Sequence, residues 1–484
     1  ALSSHQYFIK YHKKLINQMD HYDIAVIGSG PGGYVAAIRS AQLGYKTVII
    51  EKYDTLGGTC TNVGCIPTKA LLDSTHHYAE AQHQFKEHGI KLDTIELDFS
   101  QMYRRKADVV SKNTGGLDFL MSKNKITRLK GTASFVNNST IKIVSESDIK
   151  EITAQHYIIA TGSKPSSIPG VEIDKKRIIT STEALSLQEK PESMVIIGGG
   201  VIGVEMASIF NRIGTKVTIL EYADHLISTM DHELGKSLQK ILKKEGIDIR
   251  LNQAVYKTGN TGSAAKVFFK DKTGTEGELE ADYVLVAVGR SPYVKGLGLE
   301  NTEVQMDGKG FIKVNENNQT SVPTIYAIGD VIGGSMLAHK AEEEGVFVAE
   351  TINGQKRHIH YNRIPSVVYT WPEVASVGYT EEYLRQNNIA YNVGKFPFSA
   401  SARARASMDM EGFAKVLVDP KYGEVLGVHI IGARAADLIA QGVIAQEYEV
   451  TAEDMFRISY AHPTYSETLK EAYLTASGQG AINI

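Results

Sequence analysis

The sequence predicts an α/β fold: two Rossmann-like dinucleotide-binding domains followed by a C-terminal α/β interface domain. Three observations support this. An internal repeat aligns DIAVIGSGPGGYVAAIRSAQLGYKTVIIEK, from Asp23, with SMVIIGGGVIGVEMASIFNRIGTKVTILEY, from Ser193, at an offset of 170 residues. A motif, GGTCTNVGCIPTKALL, holds Cys60 and Cys65, the only two cysteines among 484 residues. From 362 onward, strand-like runs such as GFAKVLVD and EVLGVHIIG alternate with late helices, the pattern of a separate α/β layer.

In chain order, residues 1–18 come first and look detached. They carry Lys10, Lys13 and Lys14 without an acidic residue. A cloning remnant ahead of a native Met19, a basic surface tail and a trimmed targeting peptide are the three readings; the lack of arginine disfavours the last. Met19 then opens the strand-like HYDIAVIG. Gly28, Gly30 and Gly33 form a G-x-G-x-x-G turn, a helix runs to a stop at Gly44, and a second apolar strand ends at Glu51. The second copy repeats this with Gly198, Gly200, Gly203, Gly214 and Glu221.

Each glycine has a physical role in this βαβ unit. The first makes the tight turn, the second lets a pyrophosphate approach the backbone, and the third lets helix and strand pack closely. The phosphates then rest on the helix N-terminus, where unsatisfied N–H groups favour anions. Glycines serving turns alone would not explain a glutamate 18 positions beyond the last glycine in both copies. A carboxylate there accepts from a ribose 2′-OH and repels a 2′-phosphate, so Glu221, followed by Tyr222, predicts NAD over NADP. The first copy runs directly into the cysteine motif, and a disulfide exchanging electrons with a flavin must touch it. FAD is therefore expected on the first copy and NAD on the second. The resulting boundaries are 19–164 for the FAD domain, 165–290 for the NAD domain, 291–361 for a return to the FAD domain and 362–484 for the interface domain.

The cysteine pair reads as redox chemistry, with two reduced core thiols as the bland alternative. On an ideal helix, positions i and i+5 have Cα atoms about 8.6 Å apart, whereas a disulfide tolerates no more than about 7 Å. A bridge would therefore need a local distortion, for which Gly58 and Gly64 supply backbone freedom. It would close a small loop and stabilise the fold little.

Composition sets outer limits. Hydrophobic content of 42% and charge of 22% describe an ordinary globular protein. A net charge of −3 argues against a nucleic-acid partner, and no apolar run approaches a membrane span. One cysteine pair in so long a chain fits a reducing compartment. No metal is called for.

The chain resembles the pyridine nucleotide-disulfide oxidoreductases, a family of flavoenzymes, and within them the lipoamide dehydrogenases. The likeness extends from Asp23 to the C-terminus. It rests on the motifs above together with IIATGS (Ile158–Ser163), TIYAIGDVIGGSMLAHKAEEEG (Thr324–Gly345), YTWPEVASVG (Tyr369–Gly378) and AHPTYSE (Ala461–Glu467). Thr61 and Thr68 are mild departures that leave the chemistry in place, Thr61 being the one that bears on the substrate-side surface. The resemblance implies further FAD-side residues: Gly131, Thr161, Gly162, Ser163, Asp330 ending a strand near the flavin ribityl chain, and Met336, Leu337, Ala338 and His339 along the ring. Helix capping is the bland reading of Asp330. On the NAD side it adds Val255, Gly289 and Glu205, the last expected to help define the nicotinamide pocket. Lys69, one helical turn beyond Cys65, is expected beside the flavin and paired with Glu205; in isolation it would read as a solvated helix lysine.

The resemblance also assigns roles. Dihydrolipoamide would approach Cys60, the interchange sulfur. His462, oriented by Glu467, would remove a thiol proton, a task imidazole suits because it titrates near neutral pH. Cys65 would be left as the thiolate facing the flavin, supported by Lys69. The His-Glu pair is expected to serve the thiols of another subunit, which implies a homodimer, and the His462–Pro463 bond is expected to be cis. No lipoyl module is attached, so the lipoyl group would arrive on an acyltransferase or glycine-cleavage H-protein. A glutathione- or trypanothione-type reductase is disfavoured by Glu221, and a mercuric reductase by the ending ASGQGAINI. A mainly binding or structural flavoprotein subunit is the rival from outside catalysis. Bacterial cytoplasm is the expected location, or mitochondrial matrix in a eukaryote.

Overall fold

The computed structural model describes residues 20–483; the tail expected at 1–18 lies outside them. The chain divides into two compact units. One takes the chain up to Ile66, Asp108–Lys164 and Arg290–Ile359; the other takes Pro67–Ala107, Pro165–Gly289 and His360–Ile484. Residues 67–107 thus cluster with the second glycine turn.

In the first unit, the strand Asp20–Ile27 pairs in parallel with Thr47–Glu51 on one side and with Ile149–Ile159 on the other. Thr127–Lys130 extends the parallel edge, and Ile325–Ala327 pairs in parallel with Ile149–Ile159. Strands Thr132–Asn137 and Thr140–Val144 continue the sheet in antiparallel sense. Both faces of the central strand are covered, as its uninterrupted apolar run requires. Ala25 and Ile27 pack into one core cluster and Ile24 and Val26 into another. The strand order reverses beside Asp20–Ile27, so a crevice opens at its carboxyl end, where the glycine turn stands.

The second unit repeats this plan. Its parallel sheet runs Asp248–Arg250, Lys216–Leu220, Ser193–Ile197, Tyr283–Val286, Ile178–Ile179. Met194 and Ile196 face one core, Val195 and Ile197 the other. A three-stranded antiparallel sheet, Ala254–Asn260, Ala265–Lys270 and Glu276–Ala281, accompanies it. The C-terminal part is a five-stranded antiparallel sheet in the order Ser366–Val368, Glu373–Gly378, Val425–Gly432, Phe413–Val418, Asn392–Pro397. Helices Ala435–Glu447 and Glu467–Ala476 pack against it around Phe396, Phe398 and Tyr473. No helix among the described residues is long and apolar enough to cross a membrane.

Candidate active site

The two glycine turns have the same internal geometry. Gly28 and Gly198 have φ of +99° and +107°, the left-handed region open to glycine. A Cβ on Gly33 would lie 2.0 Å from Gly28 O, and one on Gly203 would lie 2.0 Å from Gly198 O. The second glycines differ: nothing lies within 4 Å of a Cβ placed on Gly30 or Gly200. Each is the N-cap of the following helix, Pro31–Gln42 or Val201–Arg212, and supplies no capping side chain. In both turns the helix start is uncapped by a side chain and the second glycine leaves room beside it, the arrangement that suits a pyrophosphate.

The acidic strand ends are fastened to these turns. Glu51 Oε2 accepts from Ser29 N at 3.1 Å and Ser29 Oγ at 2.7 Å, and Oε1 accepts from Tyr53 N at 3.0 Å. Glu221 accepts from Gly199 N at 2.5 Å and Ala223 N at 2.6 Å. Glu221 sits one residue past its strand, which ends at Leu220. Gln253 N donates to Glu221 O at 2.8 Å, bringing Val255 in the strand Ala254–Asn260 near the acidic end. A cavity of about 450 Å³ opens there, lined by Tyr222, Ala223, Asp224, Asn252, Ala254 and Lys270. Gly289, at φ +112°, has open space where a side chain would be.

The helix carrying Cys60 begins against the first glycine turn. Gly57 N donates to Ser29 O at 2.9 Å, and a Cβ on Gly58 would lie 2.7 Å from Gly30 Cα. That helix, Gly58–Val63, stops at Gly64, whose φ of −140° and ψ of −112° leave helical space. A new helix, Cys65–His83, then starts with the second cysteine. The expected distortion is thus a complete break, and the two half-buried cysteines lie on different helices. Asn62 fastens the first of these: its Nδ2 donates to Leu56 O and Gly58 O, both at 2.9 Å. Thr61 departs from expectation. It is buried, turned inward against Gly57, and does not form surface; Thr68 is buried as well.

Asp330 also differs from its expected place. The strand stops at Ala327, and Asp330 lies in the 3-10 turn Gly329–Ile332, because Gly329 at φ +75° takes the chain out of the ladder. Its carboxylate accepts from Ser163 Oγ at 2.5 Å. The buried pair Lys340–Glu344, 3.0 Å apart, holds this turn: Glu344 accepts from Gly329 N at 2.6 Å and Lys340 donates to Gly333 O at 3.0 Å. Met336 and Leu337 precede the helix Ala338–Ile352, which Ala338 and His339 begin. Gly131, at φ +153°, donates to Glu51 O at 2.9 Å. Thr161 Oγ1 is buried with no hydrogen-bond partner, an orphan that a bound cofactor in the first unit can satisfy.

Two ion pairs form as expected. Lys69 Nζ is 3.1 and 3.0 Å from the two carboxylate oxygens of Glu205, which is almost wholly buried. His462 Nδ1 is 2.9 Å from Glu467 Oε1, and the His462–Pro463 bond is cis. Burial alone would raise the Glu467 carboxyl, but Thr464 N–H and His462 outweigh it and hold it below the usual range. The imidazole is 72% exposed, open to something outside its own chain.

The sequence reading missed four positioning residues. Arg290 donates to Ser163 Oγ at 2.6 Å and Ser163 O at 2.8 Å, and its charge is felt by Cys65. Tyr369 lends its N–H to Glu205 at 2.9 Å and its ring to Lys69, 4.4 Å from the centroid. Tyr34 donates to Glu342 at 3.1 Å; burial first, then Glu342 and Cys60, push its phenol up. Asn62 is the fourth. Arg290 directly follows the flagged Gly289, and Tyr34, Asn62 and Tyr369 lie inside motifs already singled out.

The chain is similar to known proteins along nearly its whole described length. Residues 22–345 match the family model described as pyridine nucleotide-disulphide oxidoreductase, and 364–473 match that family's dimerisation domain. The mitochondrial dihydrolipoyl dehydrogenase of Pisum sativum is 47% identical over 94% of this chain and 91% of its own. That of Caenorhabditis elegans is 48% identical over 95% and 94%. Among solved structures, the HOCl-induced flavoprotein disulfide reductase of Escherichia coli has a TM-score of 0.82 at 28% identity, covering 93% of this chain and 99% of that one.

Proposed function

Because the chain belongs to the pyridine nucleotide-disulphide oxidoreductase family, we propose that it is a dihydrolipoyl dehydrogenase, with FAD on the first glycine turn and NAD on the second. Identity near 47% along almost the whole chain supports that activity over a glutathione- or trypanothione-type reductase. The observation that carries the redox reading is the Cys60 helix starting against Gly30. It brings the sulfur motif to the turn where the flavin pyrophosphate fits. The flavin, when bound, supplies a two-electron acceptor for the dithiol and a hydride donor for NAD.

The chain's own residues do the thiol chemistry. Cys60 and Cys65 cycle between disulfide and dithiol. His462 takes a proton from one substrate thiol, and the resulting thiolate attacks Cys60, opening the disulfide and releasing Cys65 as thiolate. The second substrate thiol attacks the mixed disulfide and passes its proton to the departing Cys60 sulfur; lipoyl disulfide leaves, and the enzyme keeps the electron pair with Cys60 as thiol, Cys65 as thiolate and the first proton on His462. Glu467 orients His462 and stabilises its protonated form. Lys69, fixed by Glu205 and Tyr369, supplies a cation on the turn after Cys65. Gly28, Gly30, Gly33, Glu51, Gly131, Thr161, Gly162, Ser163 and Asp330 would hold the flavin, and Met336, Leu337, Ala338 and His339 would line it. Gly198, Gly200, Gly203, Glu205, Glu221, Val255 and Gly289 would hold NAD.

The enzyme works as a homodimer, which the dimerisation match and the exposed imidazole support. Its lipoyl substrate is carried on an acyltransferase or glycine-cleavage H-protein. The mitochondrial relatives support a mitochondrial matrix location where the source is a eukaryote. The test mixes purified protein with dihydrolipoamide and NAD and follows NADH absorbance. A protein that carries flavin yet forms no NADH overturns the assignment.

A further inference from the structure

The loop after the second acidic strand carries side chains that the thiol chemistry does not use. Asp224, His225 and His232 each offer one metal-ligating atom, and the three atoms lie within 4.8 Å of one another. The two imidazole centroids are 4.2 Å apart with planes at 58°. Asp224 Oδ1 is 2.6 Å from His225 Nδ1. His232 Nε2 is buried with no hydrogen-bond partner, a position in which a ring nitrogen ordinarily finds one.

Both rings are held from below. His232 opens the helix His232–Lys244, and its N-cap Asp231, fully buried, is ion-paired with Lys415. Gly235, in the first turn of that helix, leaves room for the other ring: a Cβ there would lie 3.1 Å from His225 Cδ2 and 2.4 Å from Leu226 O. Of the nearby carboxylates, Glu233 is taken up by Lys395 and Lys415. Glu382 accepts from His232 N at 3.3 Å and adds negative charge beside the ring. Asp224 is exposed, so an ion has a path from solvent.

We propose that Asp224, His225 and His232 bind a divalent transition metal, zinc being the ion that fits best. Two imidazoles and a carboxylate form a donor set that zinc accepts, with water in the fourth position. Tetrahedral coordination at zinc puts donors about 3.3 Å apart. Rotation of the exposed Asp224 side chain and small turns of the two rings close the difference. The imidazoles rule against magnesium and calcium, which prefer all-oxygen shells.

Cobalt(II) titrated into the oxidised holoenzyme tests this. The expected result is one ion per chain, with d–d absorption beyond the flavin bands, no thiolate-to-metal charge-transfer band, and displacement by zinc. His232→Gln should weaken binding at least about ten-fold, and the double variant His225→Gln/His232→Gln should abolish it. Asp224→Asn, at an exposed position that spares packing, should weaken binding without unfolding the chain. Absence of the d–d band, a thiolate charge-transfer band, or binding unchanged in the double variant overturns the site.

Discussion

At the scale of single residues, placement depends on what each charge touches. Glu467 is held below the ordinary carboxylate range by Thr464 N–H and His462 acting against burial. Its folded value is depressed, so its stabilising contribution is present above the unfolded value and disappears as pH falls through the folded one. The melting-temperature gap between wild type and Glu467→Gln should therefore be widest near neutral pH and close as the solution is acidified; thermal unfolding across that range checks it. Glu221 is aimed by Gly199 and Ala223. Replacing it with arginine should shift the NAD-to-NADP ratio of kcat/KM toward NADP by at least about ten-fold, roughly 1.4 kcal/mol. Steady-state kinetics with both cofactors measures this, and an unchanged ratio would show that the carboxylate does not discriminate.

At the scale of elements, the glycine turns and one buried ion cluster do most of the positioning. Gly33→Ala forces a methyl group into Gly28 O, since the Cβ would sit 2.0 Å away. The helix must then move off the strand, and the variant should purify with little flavin, read from its visible absorbance against protein. Lys415 is buried among Asp231, Glu233 and Glu381, and Asp231 also caps the helix His232–Lys244. Burial lowers the lysine's proton affinity, but its carboxylate partners more than restore it. Lys415→Met leaves Asp231 buried without its cation and should cost about 3 kcal/mol, the lower end for breaking a buried pair. Denaturant unfolding tests that value.

At the scale of the whole molecule, the question is which chain supplies the base. If His462 of one protomer serves Cys60 of its partner, hybrid dimers of Cys60→Ser and His462→Gln contain one intact site. Each parent should be inactive toward dihydrolipoamide, and isolated hybrids should recover about half of wild-type activity, one of two symmetry-related sites. Hybrids as inactive as their parents would place the base and the sulfurs in one chain.

Sequence alone determined the two glycine turns, their glutamates and the strand-forming runs of the C-terminal part, and the family resemblance supplied the Lys69–Glu205 and His462–Glu467 pairs. The turns are set by local rules, left-handed glycine positions and fixed motif spacing, whereas the antiparallel order of the C-terminal strands is a tertiary outcome. Tertiary structure decided the break at Gly64, the inward turn of Thr61 and the removal of Asp330 from its strand. It also brought in Arg290 and Tyr369, and it joined Asp224 and His225 to His232. The physical reason is that each of these depends on which backbone group or side chain a folded neighbour presents, and spacing along the chain does not encode that.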